Sequence, residues 1–171
     1  MLAQLITVSR LCIFITIAMN ISACGFQLRG QVNIPAELKT MSLTSKSGSD
    51  VFDRSLRIAL IKAGVTIVDA DAENTTLLNL KVNEITSVDT ELARNSSNEV
   101  SQLQRRFSSD YFILKVDGKA LYGPKNISTT RTLESQDAAE STKQSYNTEQ
   151  TTLMYTDLAN QLVYDLSYVS P

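Results

Sequence analysis

An apolar run near the amino terminus, Leu11–Ile21, divides this chain into a part that is removed and a part that folds. Arg10 precedes the run and small residues follow it, which is the order of a secretory signal peptide. The run has 11 residues and includes Asn20, whereas a bilayer-spanning helix needs about 20 consecutive apolar residues. A transmembrane anchor is therefore the weaker interpretation, and we predict a signal peptide over residues 1–23.

The signal ends in the window ISAC, residues 21–24, which resembles the lipobox of bacterial lipoproteins. In that motif the cysteine thiol receives a diacylglyceryl group, the chain is cut just before the cysteine, and the new amine is acylated. The alternative is a signal peptide cut elsewhere that leaves a free cysteine. We predict that Cys24 is the lipid attachment site of a tether over residues 24–37. Gly25, where aspartate would be a retention signal, indicates the outer membrane by resemblance to the enterobacterial sorting rule.

The length and charge that remain after cleavage limit the class of protein. Removing 23 of the 171 residues leaves 148, and we predict one domain over residues 38–171 with a substantial core. The chain has 16 Lys plus Arg and 18 Asp plus Glu. Because Arg10 belongs to the signal, the mature chain has a net charge of −3, which argues against binding to nucleic acid.

The missing residue types restrict the chemistry further. The chain has no histidine, and its two cysteines are Cys12 in the signal and the acylated Cys24. Ser-His and Cys-His nucleophile pairs and an ordinary zinc site are therefore excluded. We expect no catalytic residues, no metal, no cofactor besides the covalent lipid, and no enzymatic activity. A hydrolase that uses paired carboxylates stays as an alternative, because composition does not exclude one.

The hydrophobic pattern of the mature chain changes between the periods of strands and helices. A strand is predicted over Leu38–Ser45, followed by a helix with Asp50 as its N-cap and Gly64 where it stops. Further strands are predicted over Val65–Ala70, over Leu77–Leu92 with a bend near Asn83 and Glu84, over Ser101–Gly123 with a turn or bulge at Asp117-Gly118, and over Asn126–Ser135.

The carboxyl-terminal part is predicted to be a polar loop followed by a helix. The loop covers residues 136–147, and the helix begins at Asn147 with Gln150 in a capping-box-like position. An apolar stripe on that helix is formed by Met154, Leu158, Leu162, Leu166 and Val169. The order of elements predicts an α+β fold. Its architecture is a two-layer sandwich, with two helices packed on one face of a four- to five-stranded, mostly antiparallel sheet.

The start of the mature chain, CGFQLRG over Cys24–Gly30, is followed by an apolar-Pro step at Ile34-Pro35. Together with the segments LIKAGVTIVD and LKVNEIT and the amphipathic terminal helix, it resembles the LptE family of lipopolysaccharide-assembly lipoproteins. The resemblance implies an outer-membrane lipoprotein on the periplasmic side, seated as a plug in the LptD β-barrel in a one-to-one complex. It also implies that the protein helps the barrel to assemble, contacts lipopolysaccharide during its delivery to the surface, and makes or breaks no bond.

The resemblance also suggests cations for the lipid contact, since lipid A phosphates suit Arg and Lys donors. Arg94, in the segment LARNSS, corresponds by position to a basic residue beside an Asn that the family uses for lipopolysaccharide, and Lys143 matches a second such residue. Arg105 and Arg106 are neighbours in a predicted strand and point to opposite faces, so only one can join a patch; Arg106 is the third candidate. The alternative for each is a solvated surface charge.

Another periplasm-facing interaction lipoprotein, such as an inhibitor or a peptidoglycan tether, remains the rival function, since it would use the same anchor and a similar domain.

Overall fold

The predicted order of strands and helices is confirmed in the computed structural model, which describes residues 32–68, 77–134 and 140–169. Cys24 and the predicted signal peptide lie outside the described residues. A short 3-10 helix, Ala36–Leu38, comes first. The other elements are β1 (Thr40–Ser45), α1 (Asp50–Lys62), β2 (Thr66–Val68), β3 (Leu78–Val82), β4 (Thr86–Arg94), β5 (Val100–Leu114), β6 (Ala120–Glu134) and α2 (Glu140–Leu166).

The 15-residue strand β5 organises the sheet. Along one edge it pairs antiparallel with β3 over Tyr111–Leu114 and then with β4 over Val100–Ser108, so these two strands lie end to end. The other edge of β5 pairs antiparallel with β6. Strand β1 lies parallel to both β3 and β2. The six strands therefore fill five positions, and the predicted bend in the long strand is the break at residues 83–85 between β3 and β4.

Both helices cover the same face of the sheet, as predicted. Side chains from α1, α2 and alternate strand positions form one buried cluster, which includes Phe52, Leu56, Leu60, Leu80, Tyr111, Ile113 and Ile127. All five residues of the predicted α2 stripe are buried in it. Since a fully buried Leu or Met side chain contributes about 1.5 to 3 kcal/mol, this stripe is what holds α2 on the sheet.

The ends of α1 show one wrong prediction and one confirmed prediction. Asp50 was predicted as the N-cap, but Ser49 caps the helix: its backbone is extended and its Oγ accepts from the N–H of Phe52. Gly64 ends the helix with a φ of 82°. The N–H groups of Gly64 and Val65 donate at 3.0 Å to carbonyls in the last turn of α1, a closure that favours glycine because it needs the left-handed conformation.

Two tight turns connect the three long strands. The Asp117-Gly118 signal is a turn, so β5 ends at Leu114 and β6 begins at Ala120; the predicted continuous strand to Gly123 is wrong. Gly118 has a φ of 78°, and Asn98 has a φ of 62° at the same position of the β4–β5 turn. Because Asn tolerates this conformation better than most residues, its turn was less visible in the sequence.

The start of α2 also differs from the prediction. The helix begins at Glu140, so the predicted loop is wrong over residues 140–147, and its residues 136–139 lie outside the described residues. Asn147 is not a cap, because its Nδ2 donates to the backbone oxygen of Glu134 at 3.1 Å. Residues 144–146 are exposed, so no hydrophobic period marks these first turns.

The sheet has two halves of different character. The apolar half comprises β1, β3, residues 107–114 of β5 and residues 120–127 of β6, where the buried strand residues concentrate. The polar half comprises β4, residues 100–106 of β5 and residues 128–134 of β6, where Leu133 is the one buried residue among those described. In β4 itself, eight of nine residues are exposed and Ala93 is half-buried.

Candidate functional site

Arg94 ends β4 and is part of the β4–β5 turn. Its Nη1 donates to the backbone oxygen of Asn98 at 2.8 Å, and its Nη2 is ion-paired with Glu91. The side chain keeps 46% of its surface exposed. An anionic ligand at Arg94 would therefore share the guanidinium with a carboxylate that already neutralises it.

Arg105 and Arg106 lie on opposite faces of β5, as their adjacency predicts. Arg105 forms a bidentate pair with Asp89 of the neighbouring strand, with N–O distances of 2.7 and 2.6 Å. These hydrogen bonds hold the pKa of Asp89 below its ordinary value and raise that of Arg105. Arg106 is exposed on the face away from the helices, where its Nη2 lies 3.4 Å from Ser128 Oγ. In the described part of the chain, Arg106 makes no ion pair.

Lys143 lies in the first turns of α2 and is half-buried. It borders a groove of about 590 Å³ between the start of α1 and the first half of α2. Arg105 lines the same groove, together with Val51 and Tyr155, whereas Arg94 and Arg106 do not.

The three predicted cations thus occupy three places. Arg106 lies about 20 Å along β5 from Val100, the residue that pairs with Arg94, and it faces away from the groove beside Lys143. If all three contact one ligand, that ligand must reach both faces of the polar half of the sheet.

Sequence reasoning missed Arg131 of β6, which joins the sheet to α2. It lies directly opposite Arg105, yet its Nη2 donates to Asp157 at 2.7 Å and its Nη1 to Gln150 at 3.1 Å. Two like charges are thus placed side by side, each with its own carboxylate. Arg131 is 19 residues from Gln150 and 26 from Asp157 in the sequence, and these separations gave no signal because only the packed fold brings the partners together.

A second missed feature is a polar depression of about 550 Å³ at the bend between β3 and β4. Ser109 Oγ donates to the backbone oxygen of Asn83 at 2.8 Å, and Asn126 Nδ2 donates to Asp110 at 2.9 Å. Lys46, Glu84, Thr86 and Ser108 complete its lining. The bend and the strands were predicted, but the pairing that brings these strands together at the bend was not. The described residues hold no group of three or more Asp, Glu, His or Cys side chains that could bind a metal ion.

Comparison with known proteins shows which solved structures have a similar fold. No protein-family model matches the sequence, and no curated protein matches it. A minor lipoprotein from Acinetobacter baumannii matches with a TM-score of 0.65 and 19% identity, over 78% of this chain and 98% of the other. The chain shares its fold with bacterial lipoproteins. The uncharacterized lipoprotein B from Nitrosomonas europaea gives a TM-score of 0.65, 21% identity and coverage of 84% and 90%.

The rare lipoprotein B from Shewanella oneidensis has a TM-score of 0.62 and 17% identity, and the match covers 75% of this chain and 93% of that one. These matches span nearly the whole of each solved chain, so the likeness concerns the complete domain. No helix within the described residues is long and apolar enough to cross a bilayer.

Proposed function

We propose that this chain is an outer-membrane lipoprotein, anchored through acyl groups on Cys24, that plugs and helps to assemble a β-barrel of the LptD type and binds lipopolysaccharide during its delivery. One observation carries the proposal: a domain with the fold of bacterial lipoproteins follows a lipobox-like cysteine and the CGFQLRG opening. The fold likeness supports a lipoprotein, and the LptE-like opening supports the specific role.

The surface chemistry suits a plug. The lumen of a large outer-membrane barrel is polar, and the face of the sheet away from the helices offers polar side chains along β5 and β6, including Arg106, Ser128 and Thr130. The polar half also includes β4, an edge strand of nine residues. Such a surface can form hydrogen bonds with a hydrated wall without burying unpaired groups.

The lipopolysaccharide contact is assigned to Arg94, Lys143 and Arg106, which offer donors for phosphate. Reversing the charge of one of them should weaken binding at least tenfold if its phosphate contact contributes about 1.5 kcal/mol or more. Binding of purified protein to lipopolysaccharide should be compared for Arg94→Asp, Lys143→Asp and Arg106→Asp, with Lys81→Asp as the control. Wild-type binding by all three would place the lipid site elsewhere.

The anchor is tested by Cys24→Ser, which should leave the precursor unprocessed by the lipoprotein signal peptidase, as judged by mass spectrometry. Normal maturation of this variant would contradict the anchor.

The plug role is tested by depletion. Loss of the protein should lower the ratio of correctly assembled to misfolded barrel on non-reducing gels, and the protein should co-purify with the barrel at equal stoichiometry. An unchanged ratio without co-purification would favour a different interaction lipoprotein.

A further inference from the structure

The first described residues, from Val32 onwards, enter the domain at one end. Ile34 and Leu38 are buried in the core, which fixes this entry point beside the start of β1. The Lys39 backbone oxygen accepts from Thr66 N–H at 2.7 Å, so the end of α1 and the start of β2 are there too. We call this the tether end.

Two further elements reach the tether end. Leu114 of β5 pairs with Asn79 near the start of β3, which places the β5–β6 turn there. Helix α2 runs antiparallel to β6, because Asn147 contacts Glu134 whereas Gln161 contacts Ser128. The last turn of α2 therefore lies at the same end.

The tether end exposes large apolar and aromatic side chains. Tyr168 is 66% exposed, Ile61 63%, Val116 57% and Tyr164 54%. The two tyrosine rings meet edge to face at a centroid distance of 5.1 Å. Exposed apolar residues are common singly, but here they come from three separate elements at the same end of the domain.

Four exposed lysines lie at the same end: Lys39, Lys62, Lys115 and Lys119. Among the described residues, the carboxylates there are Glu37, Asp117, which is ion-paired with Lys119, and the half-buried Asp165 in the last turn of α2. The described residues of the tether end thus carry four positive and three negative groups, in a chain whose net charge is −2. On α1, the stretch from Arg54 to Lys62 has three cations and no carboxylate, and none of the three is ion-paired in the described structure.

We propose that, before the domain enters a barrel, the tether end docks on anionic lipid headgroups and so sets the orientation of the domain. The proposal rests on the anchor at Cys24. Val32 comes eight positions after Cys24, so an anchored chain holds Val32 within about 28 Å of the bilayer surface. Tyrosine rings with apolar and basic neighbours are typical of a membrane interface, and juxtamembrane Lys and Arg each contribute attraction to an anionic leaflet. The acyl chains hold the protein, and this surface orients it.

The experiment uses mature, lipidated protein reconstituted in vesicles. The mature chain has no other thiol, so Val116→Cys can carry a polarity-sensitive fluorophore at the tether end. Ser97→Cys in the β4–β5 turn carries the control label, about 45 Å away along β5. We expect a blue shift of the Val116→Cys label in vesicles with about 30% phosphatidylglycerol, little shift in pure phosphatidylcholine, and none at the Ser97→Cys label.

Charge reversal sharpens the test. Lys39→Glu and Lys115→Glu together should abolish the shift, whereas Lys46→Glu and Lys81→Glu change the net charge equally and should keep it. Equal shifts in both vesicle types, or equal effects of the two double variants, would overturn the docking surface.

Flotation of the same samples separates this proposal from the anchor. Co-flotation with both vesicle types without a label shift would overturn docking and retain the anchor. Failure to float would overturn the anchor itself, and docking with it.

Discussion

The two halves of the sheet share one continuous strand, β5, but are held by different forces. In the apolar half, Phe107, Tyr111 and Ile113 of β5 are buried under both helices. In the polar half, the same face of β5 carries Arg105, and Arg131 stands opposite it, each paired with a carboxylate. Apolar burial is non-directional, whereas charge-assisted hydrogen bonds fix geometry. The first half supplies stability, and the second supplies a defined polar surface.

The largest expected effect lies in the apolar half. Leu158→Ala removes a fully buried side chain of α2 and leaves a cavity, so it should lower the free energy of unfolding by about 2 to 5 kcal/mol. Leu153→Ala on the same helix is the matched control. Because Leu153 is 38% exposed, this substitution should lower the free energy of unfolding by less. Denaturant unfolding measures both, and equal losses would contradict the assigned core.

A smaller effect is expected where α2 meets the polar half. Asp157→Asn removes the charge that pairs with Arg131, whose side chain is 33% exposed. Since both partners retain contact with water, the expected loss is about 1 kcal/mol. Glu149→Gln, an exposed residue on the same helix, is the control. A loss as large as that of Leu158→Ala would mean that ion pairs, too, hold this half together.

The Asp89–Arg105 pair should make a still smaller contribution to the free energy of unfolding, and this contribution should depend on pH. The pKa of Asp89 is lowered in the folded protein by its hydrogen bonds to Arg105. The stabilisation is therefore present above the unfolded pKa of about 3.9 and is lost as pH falls through the folded pKa. Asp89→Asn should cost less than about 1 kcal/mol at pH 7, and the difference from wild type should shrink below about pH 4. A difference independent of pH would show that charge is not its cause.

The smallest effect is expected at the Tyr111 hydroxyl. Tyr111 is fully buried, and its hydroxyl has no hydrogen-bond partner among the described residues. Burial, with a contribution from Asp165, raises the pKa of Tyr111. Tyr111→Phe removes an unpaired polar atom without leaving a cavity, so stability should stay unchanged or rise by up to about 1 kcal/mol. Tyr122→Phe serves as the control, and a marked loss at Tyr111 alone would reveal an unseen partner.

The two halves also differ in how much of their structure the sequence could predict. The α2 stripe, the Gly64 stop and the bend near Asn83 follow from local periodicity and backbone preference, and each was predicted. The Asp89–Arg105 and Arg131–Asp157 pairs could not be, because a one-residue change of register would move every side chain to the other face. The first turns of α2 were also missed, because their exposed residues show no hydrophobic period. The sequence therefore predicted the packing of the apolar half, but not the ion pairs of the polar half, where Arg94 and Arg106 lie.

The side chain of Gln161 has a consequence for the order of synthesis. Its Oε1 accepts from Ser128 N–H at 3.1 Å, so α2 covers a backbone donor on the outer edge of β6. Because α2 follows β6 in the chain, a partly made chain carries β6 with this edge open, and open edges template aggregation. Chaperone protection should therefore matter most until α2, which is 27 residues long, has been made and can cover β6.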